Sequence, residues 1–326
     1  VTGATVGKSM IFGLSEKAAY AGYLALIRTN DRLNYKYLYY YLNSPLFDKW
    51  RKESINVSTI ENISAGKYAN LPIYYHDVKK QIEIVAILDS IFLLIDKLIC
   101  NQQQQIEKLK EYKQSLVSSM IDKYVTDRQE NIDYMNDNYS PLNYLAKIVR
   151  GNTGFKKDEL LDDGLYIGLQ YGKTYKTETV DSTYNYYVDS KFYKEDQIVI
   201  KGDVILISTS ETVEDLGHAC YYDRGEIGLL GGEQFVLKPN VDSVNGKFLY
   251  YCTVEFSKYI RKYCTGLKVY RFNSNHLKNI YINLPSFDEQ ERIINILDKK
   301  NYEINLLIEI KQKKIEKLED YKKSLI

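Results

Sequence analysis

The same helix occurs twice in this chain. Gln81–Val117 reads QIEIVAILDSIFLLIDKLICNQQQQIEKLKEYKQSLV and Gln290–Ile326 reads QERIINILDKKNYEINLLIEIKQKKIEKLEDYKKSLI, a constant offset of 209 residues with 17 identities in 37 positions. A period this long is one domain plus one helix, duplicated. A duplicated chain tends toward pseudo-two-fold symmetry, and can present two similar surfaces to a two-fold target or to two copies of one partner. Upstream the match is weaker: Lys36-Tyr37-Leu38-Tyr39-Tyr40 corresponds to Lys247-Phe248-Leu249-Tyr250-Tyr251, Leu71-Pro72 to Leu284-Pro285, and Gly7-Lys8 to Gly217-His218. A domain of roughly 145 residues precedes the second Leu-Pro, against about 70 before the first. The first copy is therefore expected to lack its leading half.

The repeated helices carry sustained three-and-four spacing. The seam expected in the first contains Ile95, Leu98, Gln102, Ile106, Leu109, Lys113 and Leu116, and in the second Ile304, Leu307, Lys311, Ile315, Leu318, Lys322 and Leu325. Glu and Lys between such positions argue for coiled-coil pairing, with Gln102, Lys113, Lys300, Lys311 and Lys322 helping to set register at some cost in stability. About forty helical residues span about 60 Å, too long for a core element of a small domain and suited to a strut. If the two domain–helix units are related by a two-fold axis, the helices pair antiparallel and the domains stand at opposite ends. A parallel pair is the alternative that the sequence leaves open.

The globular copies read as mixed α and β. Gln197–Ile207 has the pattern of two short strands around a glycine, Glu233–Leu237 of another, and Asn245–Tyr263 of a helix with Phe248, Tyr251, Cys252, Phe256 and Ile260 on one face. The first copy repeats this with Leu24–Ile27 as strand and Asn34–Trp50 as helix, interrupted near Ser44-Pro45. Polar Asp122–Ser140 reads as a linker. With 44% apolar residues there is ample material for cores, and no apolar run reaches transmembrane length. The four cysteines form no C-x-x-C pair and read as reduced thiols of a cytoplasmic protein. The three histidines are scattered, so no metal site is expected. The abundant tyrosine reads as compositional bias.

Gly3-Ala4-Thr5-Val6-Gly7-Lys8-Ser9 invites a nucleotide-binding reading. A P-loop needs four residues between its glycines to wrap backbone N–H groups around phosphates, and here there are three. The expected role is a glycine turn with Lys8 at a surface that can meet phosphate; a nucleotidase stays as a reading that nucleotide binding would test. No pairing of nucleophile and histidine, no methylation motif and no S-adenosylmethionine motif is present, so no catalytic residue is assigned. The net charge of +1 places any nucleic-acid surface locally. Between Phe256 and Phe287 there is no acidic residue but six basic ones, Lys258, Arg261, Lys262, Lys268, Arg271 and Lys278. Tyr270 and Asn273 lie among them around Gly266, a mixture suited to phosphate positioning and base-edge contact. Weaker candidates are Asn152, Lys156 and Lys157 in GNTGFKK, Lys173 and Lys176 in QYGKTYK, and Lys67 in the first copy. The bland reading of all of these is a solvated surface.

Leu284-Pro285-x-x-x-x-Gln290-x-x-Ile293-x-x-x-Leu297-Asp298, followed by the long helix, resembles the specificity subunit of type I restriction–modification enzymes. The duplicated domain-then-helix order resembles it too, as does Gly151-Asn152-Thr153 followed by lysines. The first helix departs from the pattern, since eight residues rather than four separate Leu-Pro from Gln81. The resemblance implies an α+β chain with two target-recognition domains separated by a long antiparallel two-helix coiled coil, in a pseudo-two-fold repeat. The divisions expected are the C-terminal half of a first target recognition domain (1–72), the first long helix (77–122), a linker (123–139), a second target recognition domain (140–285) and the second long helix (288–326). It further implies a non-catalytic subunit that reads a bipartite sequence in double-stranded DNA, one half per domain. The helices would set a spacer of at most about 18 base pairs at 3.4 Å each and dock two methyltransferase subunits. S-adenosylmethionine, and ATP with Mg where restriction subunits join, would belong to those partners. The alternative is a coiled-coil scaffold that binds only proteins.

Overall fold

The computed structural model describes residues 5–55, 62–127 and 139–326. It divides into two compact units, Val1–Leu109 with Leu306–Ile326, and Lys110–Asn305. The bulk of the expected linker, 128–138, lies outside the described residues, as do Gly3 and Ala4 of the glycine-rich motif.

In the first unit, α1 (Tyr35–Tyr41) is capped by Asn34 and α2 (Pro45–Ser54) by Ser44, with proline opening the second helix where its missing N–H costs nothing. A short α3 (Ala65–Ala69) precedes the long α4 (Val78–Ile121). Leu38, Leu42 and Phe47 form a small core with Trp50 and Tyr68 against it. The strand expected at Leu24–Ile27 is absent. No described strand lies beside that segment to supply ladder hydrogen bonds, and Leu24, Leu26 and Ile27 are about half exposed. Its counterpart in the second copy is sandwiched between two partner strands.

The second unit holds the sheets. Its strands are β1 (Val125–Asp127), β2 (Tyr139–Pro141), β3 (Ala146–Arg150), β4 (Tyr166–Leu169), β5 (Thr179–Val180), β6 (Tyr187–Val188), β7 (Ile198–Val199), β8 (Val204–Ile207), β9 (Thr209–Ser210), β10 (Ala219–Tyr222), β11 (Gly228–Leu230), β12 (Gln234–Pro239), β13 (Tyr270–Arg271) and β14 (Ile280–Asn283). Five strands run β3-β12-β8-β10-β5, four run β6-β4-β11-β7, three run β1-β14-β2, and β13 pairs with β9. The glycine expected between two strands is Gly202, at φ 99° between β7 and β8. Both ends of the expected linker are strand rather than coil, because β14 pairs along each edge with β1 and β2. Short helices α5 (Leu142–Leu145), α6 (Tyr171–Thr174) and α8 (Ser274–Leu277) punctuate the strands, and α7 (Gly246–Ile260) buries its Phe248, Tyr251, Cys252, Phe256 and Ile260 face in the main core. Ile293 and Leu297, early in the long α9 (Phe287–Ser324), join that core with Val117 and Ile121 from the end of α4.

Each long helix starts in the same way. Asp77 Oδ1 accepts from the Lys80 N–H at 3.0 Å, and Ser286 Oγ from the Glu289 N–H at 3.4 Å, again 209 residues apart. The four extra residues before the first helix precede its cap and leave its start unchanged. Four positions into each helix stands a fully buried glutamine. Gln81 Oε1 accepts from the Asn34 N–H (2.8 Å) while its Nε2 donates to the Arg32 and His76 carbonyls. Gln290 Oε1 accepts from the Asn245 N–H (2.9 Å) and its Nε2 donates to the Pro285 carbonyl (3.1 Å). Two turns further on, Tyr40 donates to Asp89, and Tyr251 to Asp298, in the same pattern.

The helices pair antiparallel. Lys322 Nζ donates to Asp96 at 2.6 Å and Lys311 to Gln105 in the first unit; Lys113 Nζ donates to Asn305 at 3.0 Å in the second. Lys113 and Lys322, like Asp96 and Asn305, are 209 apart, so one contact is made twice. Ile95, Ile106 and Ile304 are buried, and Leu109, Leu116, Ile315, Leu318 and Leu325 are half-buried. Leu98 and Leu307 are a correction: they stand 47% and 46% exposed, and their neighbours Ile99 and Ile308 take the inner position. Inward residues 92, 95, 99, 102, 106, 109, 113 and 116 alternate by three and four, the 3.5-residue period of a coiled coil. Passing through Leu98 would have inserted two successive steps of four.

Gln290→Leu keeps the volume but strands the Asn245 N–H and the Pro285 carbonyl. Urea unfolding should show a loss of about 2–4 kcal/mol; a loss below about 0.5 kcal/mol would show that the amide is not a fastening.

Candidate nucleic-acid interface

The acid-free basic segment divides on folding. Lys258 Nζ bonds to Asp122 at 2.6 Å and to the buried carboxylate of Glu255, which also accepts from Ser118 Oγ at 2.6 Å. Arg261 Nε donates to the Leu216 carbonyl at 3.1 Å, and Lys262 lies over the Tyr259 ring. These three cations fasten α7 and its C-terminus. The other three remain at the surface. Lys268 and Arg271 belong to a hairpin closed by reciprocal backbone bonds between Thr265 and Arg271. Its turn needs Gly266: φ is 133° and a Cβ there would stand 1.9 Å from the Val269 carbonyl oxygen. Tyr270 is half-buried in β13, against Ser210 of β9, and Asn273 caps α8 through Asn275 N–H. Lys278 borders a depression of about 640 Å³ with Lys147 and Lys238.

Of the weaker candidates, Lys156 and Lys157 meet at one cleft. The Gly151 N–H donates to the Gln234 carbonyl at 2.9 Å, and a Cβ on Gly151 would fall 1.8 Å from the Gly231 oxygen, so the loop after β3 lies directly on the loop before β12. Thr153 Oγ1 donates to the Leu230 carbonyl at 2.6 Å and Phe155 is buried edge-on to Phe192. Lys156 and Lys157 are thereby held exposed at the rim of a cleft of about 300 Å³, whose other walls are Gln170-Tyr171 and Gly231-Gly232-Glu233. Arg271 Nε lies 3.9 Å from Glu233, joining the hairpin to the same cleft.

Several expected contacts are already occupied. Asn152 accepts from Lys194 Nζ through both its carbonyl (2.8 Å) and its Oδ1 (2.9 Å), and positions the loop. Lys173 lies over the Tyr186 ring at 4.1 Å and Lys176 over Tyr175, which stacks on Tyr171. In the first unit Lys67 Nζ donates to the Ser54 carbonyl at 2.6 Å. Lys8 is exposed beside Gly7, whose φ of 89° matches the 81° of Gly217 and makes the motif a turn. Sequence reading named Gln170 only as the first residue of the QYGKTYK stretch and missed Glu233 and Lys194. Only the Gly231-Gly232 pair before Glu233 hinted at a tight approach.

Both signs of charge line the cleft. Burial, with Glu211, Tyr175, Asp215 and Glu233 nearby, pushes the Tyr171 phenol up. The cleft thus carries the cations Lys156 and Lys157 together with the carboxylate of Glu233. Among the described residues, no group of three or more His, Cys, Asp or Glu is placed to hold a metal ion, and no helix is long and apolar enough to cross a membrane.

An α+β body with short caps and glutamines repeated at the feet of two paired helices defines a duplicated recognition scaffold. The model for the type I restriction modification DNA specificity domain matches residues 138–320, more than half of the chain, which therefore belongs to that family. A putative type I restriction enzyme specificity subunit of Haemophilus influenzae is 26% identical over 291 residues, covering 84% of this chain and 66% of that protein. The type I restriction enzyme MjaVIII specificity subunit of Methanocaldococcus jannaschii is 25% identical over 317 residues, covering 92% and 70%. The chain thus spans about two thirds of the length of these curated relatives. The fold matches a chain from a structure of type I R-M complex assembly and conformational transition with a TM-score of 0.69 at 14% identity, covering 92% of this chain and 72% of that one.

Lys258→Met should leave Glu255 buried without its cation and lower stability by about 2 kcal/mol, with part of the loss recovered in the Glu255→Gln double variant. Equal stability of all three in thermal melts would show that Lys258 is not structural.

Proposed function

We propose that this chain is the non-catalytic DNA sequence-recognition subunit of a type I restriction–modification complex. The body of Lys110–Asn305 reads one half of a bipartite target, and Val1–Leu109 contributes to the other. The paired helices set the spacer and dock two methyltransferase subunits, which bring S-adenosylmethionine. Restriction subunits, where they join, bring ATP and Mg. The complex works in the cytoplasm. The observation that best supports this reading is the contact made twice, Lys322 to Asp96 and Lys113 to Asn305. It holds the two helices in a single register, as a ruler requires. Docking is supported by apolar side chains left outside the seam at equivalent positions: Ile87 and Ile296, Leu98 and Leu307, Tyr112 and Tyr321. Two copies of one partner can therefore meet the same surface. A scaffold that binds only proteins would use those faces but show no DNA preference.

Two measurements test this. In complex with its methyltransferase partner, the chain should bind DNA with steep salt dependence. Lys156→Ala with Lys157→Ala, or Lys268→Ala with Arg271→Ala, should flatten the slope of log K against log salt by about 0.9 per phosphate contact removed; unchanged slopes in both pairs exclude this surface. Inserting one heptad into both helices, near Gln102 and Lys311, adds about 10.5 Å and should lengthen the methylated site's spacer by about three base pairs at 3.4 Å each. An unchanged spacer on a methylation map rules out the ruler.

A further inference from the structure

We infer that the depression where β3, β12, α5 and α8 meet binds the sugar–phosphate backbone of DNA and grips it without reading bases. This rests on the DNA-recognition role proposed above and gives that role a second point of contact, apart from the cleft beside GNTGFKK.

Folding assembles the site from three segments far apart in the chain. In α5, Leu142 and Leu145 are buried in the main core, three residues apart on one face, which turns Asn143 and Tyr144 outward into the depression. β3 then alternates, with Ala146 buried and Lys147 exposed. Directly across the ladder from Lys147 stands Lys238 of β12. On the remaining side, α8 is capped by Asn273 and anchored by the buried Leu277, and brings Ser274 and Lys278 to the lining.

Three observations mark an open site for an anion. The lining of this 640 Å³ depression holds three lysines and no carboxylate. Two of those cations are unspent: among the described residues neither Lys147 nor Lys278 has a hydrogen bond or an ion pair, and both are exposed. Lys238 is fixed instead, donating to the Ile198 carbonyl at 2.5 Å and lying 3.6 Å from the buried Asp203. Like charges placed directly opposite each other on a ladder destabilise it, yet Lys147 faces Lys238 with no acidic residue lining the space around them. A bound anion removes that repulsion.

The neutral groups select the anion. The hydroxyls of Tyr144 and Ser274 and the amide of Asn143 are exposed beside the lysines. Backbone phosphates take their contacts from such side chains. A lysine ammonium is a point charge on a flexible stem, which suits phosphate better than a fixed base edge. Continuity with the candidate interface favours DNA over an acidic protein segment. β3 runs from Lys147 to the start of the GNTGFKK loop, and Asn273 joins the Arg271 hairpin to α8.

The test uses the full chain in complex with its methyltransferase partner and follows binding to a duplex carrying its methylation site across a salt series. Lys147→Ala with Lys278→Ala removes two phosphate contacts, so the slope of log K against log salt should flatten by about 1.8. Between about 50 and about 200 mM salt the variant should therefore lose about tenfold less affinity than the parent does. Binding at low salt should weaken equally on every sequence, and the sites methylated in a randomised plasmid library should be those of the parent. Lys147→Arg with Lys278→Arg should restore the parent slope. Lys147→Ala relieves the opposition to Lys238, so its melting temperature should hold or rise. The single variants, each flattening the slope by about 0.9, keep the test valid if the double variant folds poorly. An unchanged slope overturns the assignment. So does an altered preference at one base position, which would make the depression a reading site, or a weakened hold on the methyltransferase subunits at an unchanged slope, which would make it a protein-docking site. A parent complex whose DNA binding does not vary with salt would instead overturn the underlying role.

Discussion

A buried amide near the start of each long helix is the interaction on which the architecture depends. Gln81 and Gln290 are the fourth residues of helices whose first backbone N–H groups have no partners within the helix. Each side chain spends both its acceptor and its donors on backbone: the N–H of a capping asparagine on one side and the carbonyl ahead of the helix on the other. Stripped of any of those partners, a buried amide would cost more than it contributes. With all of them it sets the direction in which the helix leaves the short helix packed beside it. The Tyr40–Asp89 and Tyr251–Asp298 bonds repeat this fastening further along.

Cations in the second unit serve two purposes, and burial separates them. Lys258 and Arg261 face carboxylate or carbonyl oxygens inside the fold, and their charge is consumed in holding α7. Lys156, Lys157 and Lys268 project from loops whose backbones are pinned by glycine geometry, Gly151 against Gly231 and Gly266 against Val269. A loop so fixed loses little further entropy on meeting a ligand, which is the condition for reading rather than merely attracting a nucleic acid.

Much of the architecture was legible because periodicity and duplication are local patterns. The α7 face, the break at Ser44-Pro45, the strands around Gly202 and the matching turns at Gly7 and Gly217 all follow from spacing and backbone chemistry. The failures have a common cause. Leu24–Ile27 has strand-like composition, but a strand exists only with a neighbour. Leu98 and Leu307 satisfy a step of three from the preceding seam residue as well as Ile99 and Ile308 satisfy a step of four; only the partner helix decides between them. In the site, Asn152 looked free to read a base and is held by Lys194, 42 residues away.

By itself the sequence determined that one domain–helix unit is present twice, where each helix begins, and which family the helix motif resembles, since these depend on residues close together in the chain or on exact repetition. Tertiary structure alone decided that the helices run antiparallel, which cations are spent on the fold, and that GNTGFKK, Gln170 and Glu233 share a cleft. Those outcomes depend on pairings between segments tens to hundreds of residues apart. Their energies come from mutual burial and hydrogen bonding, which a linear pattern does not encode.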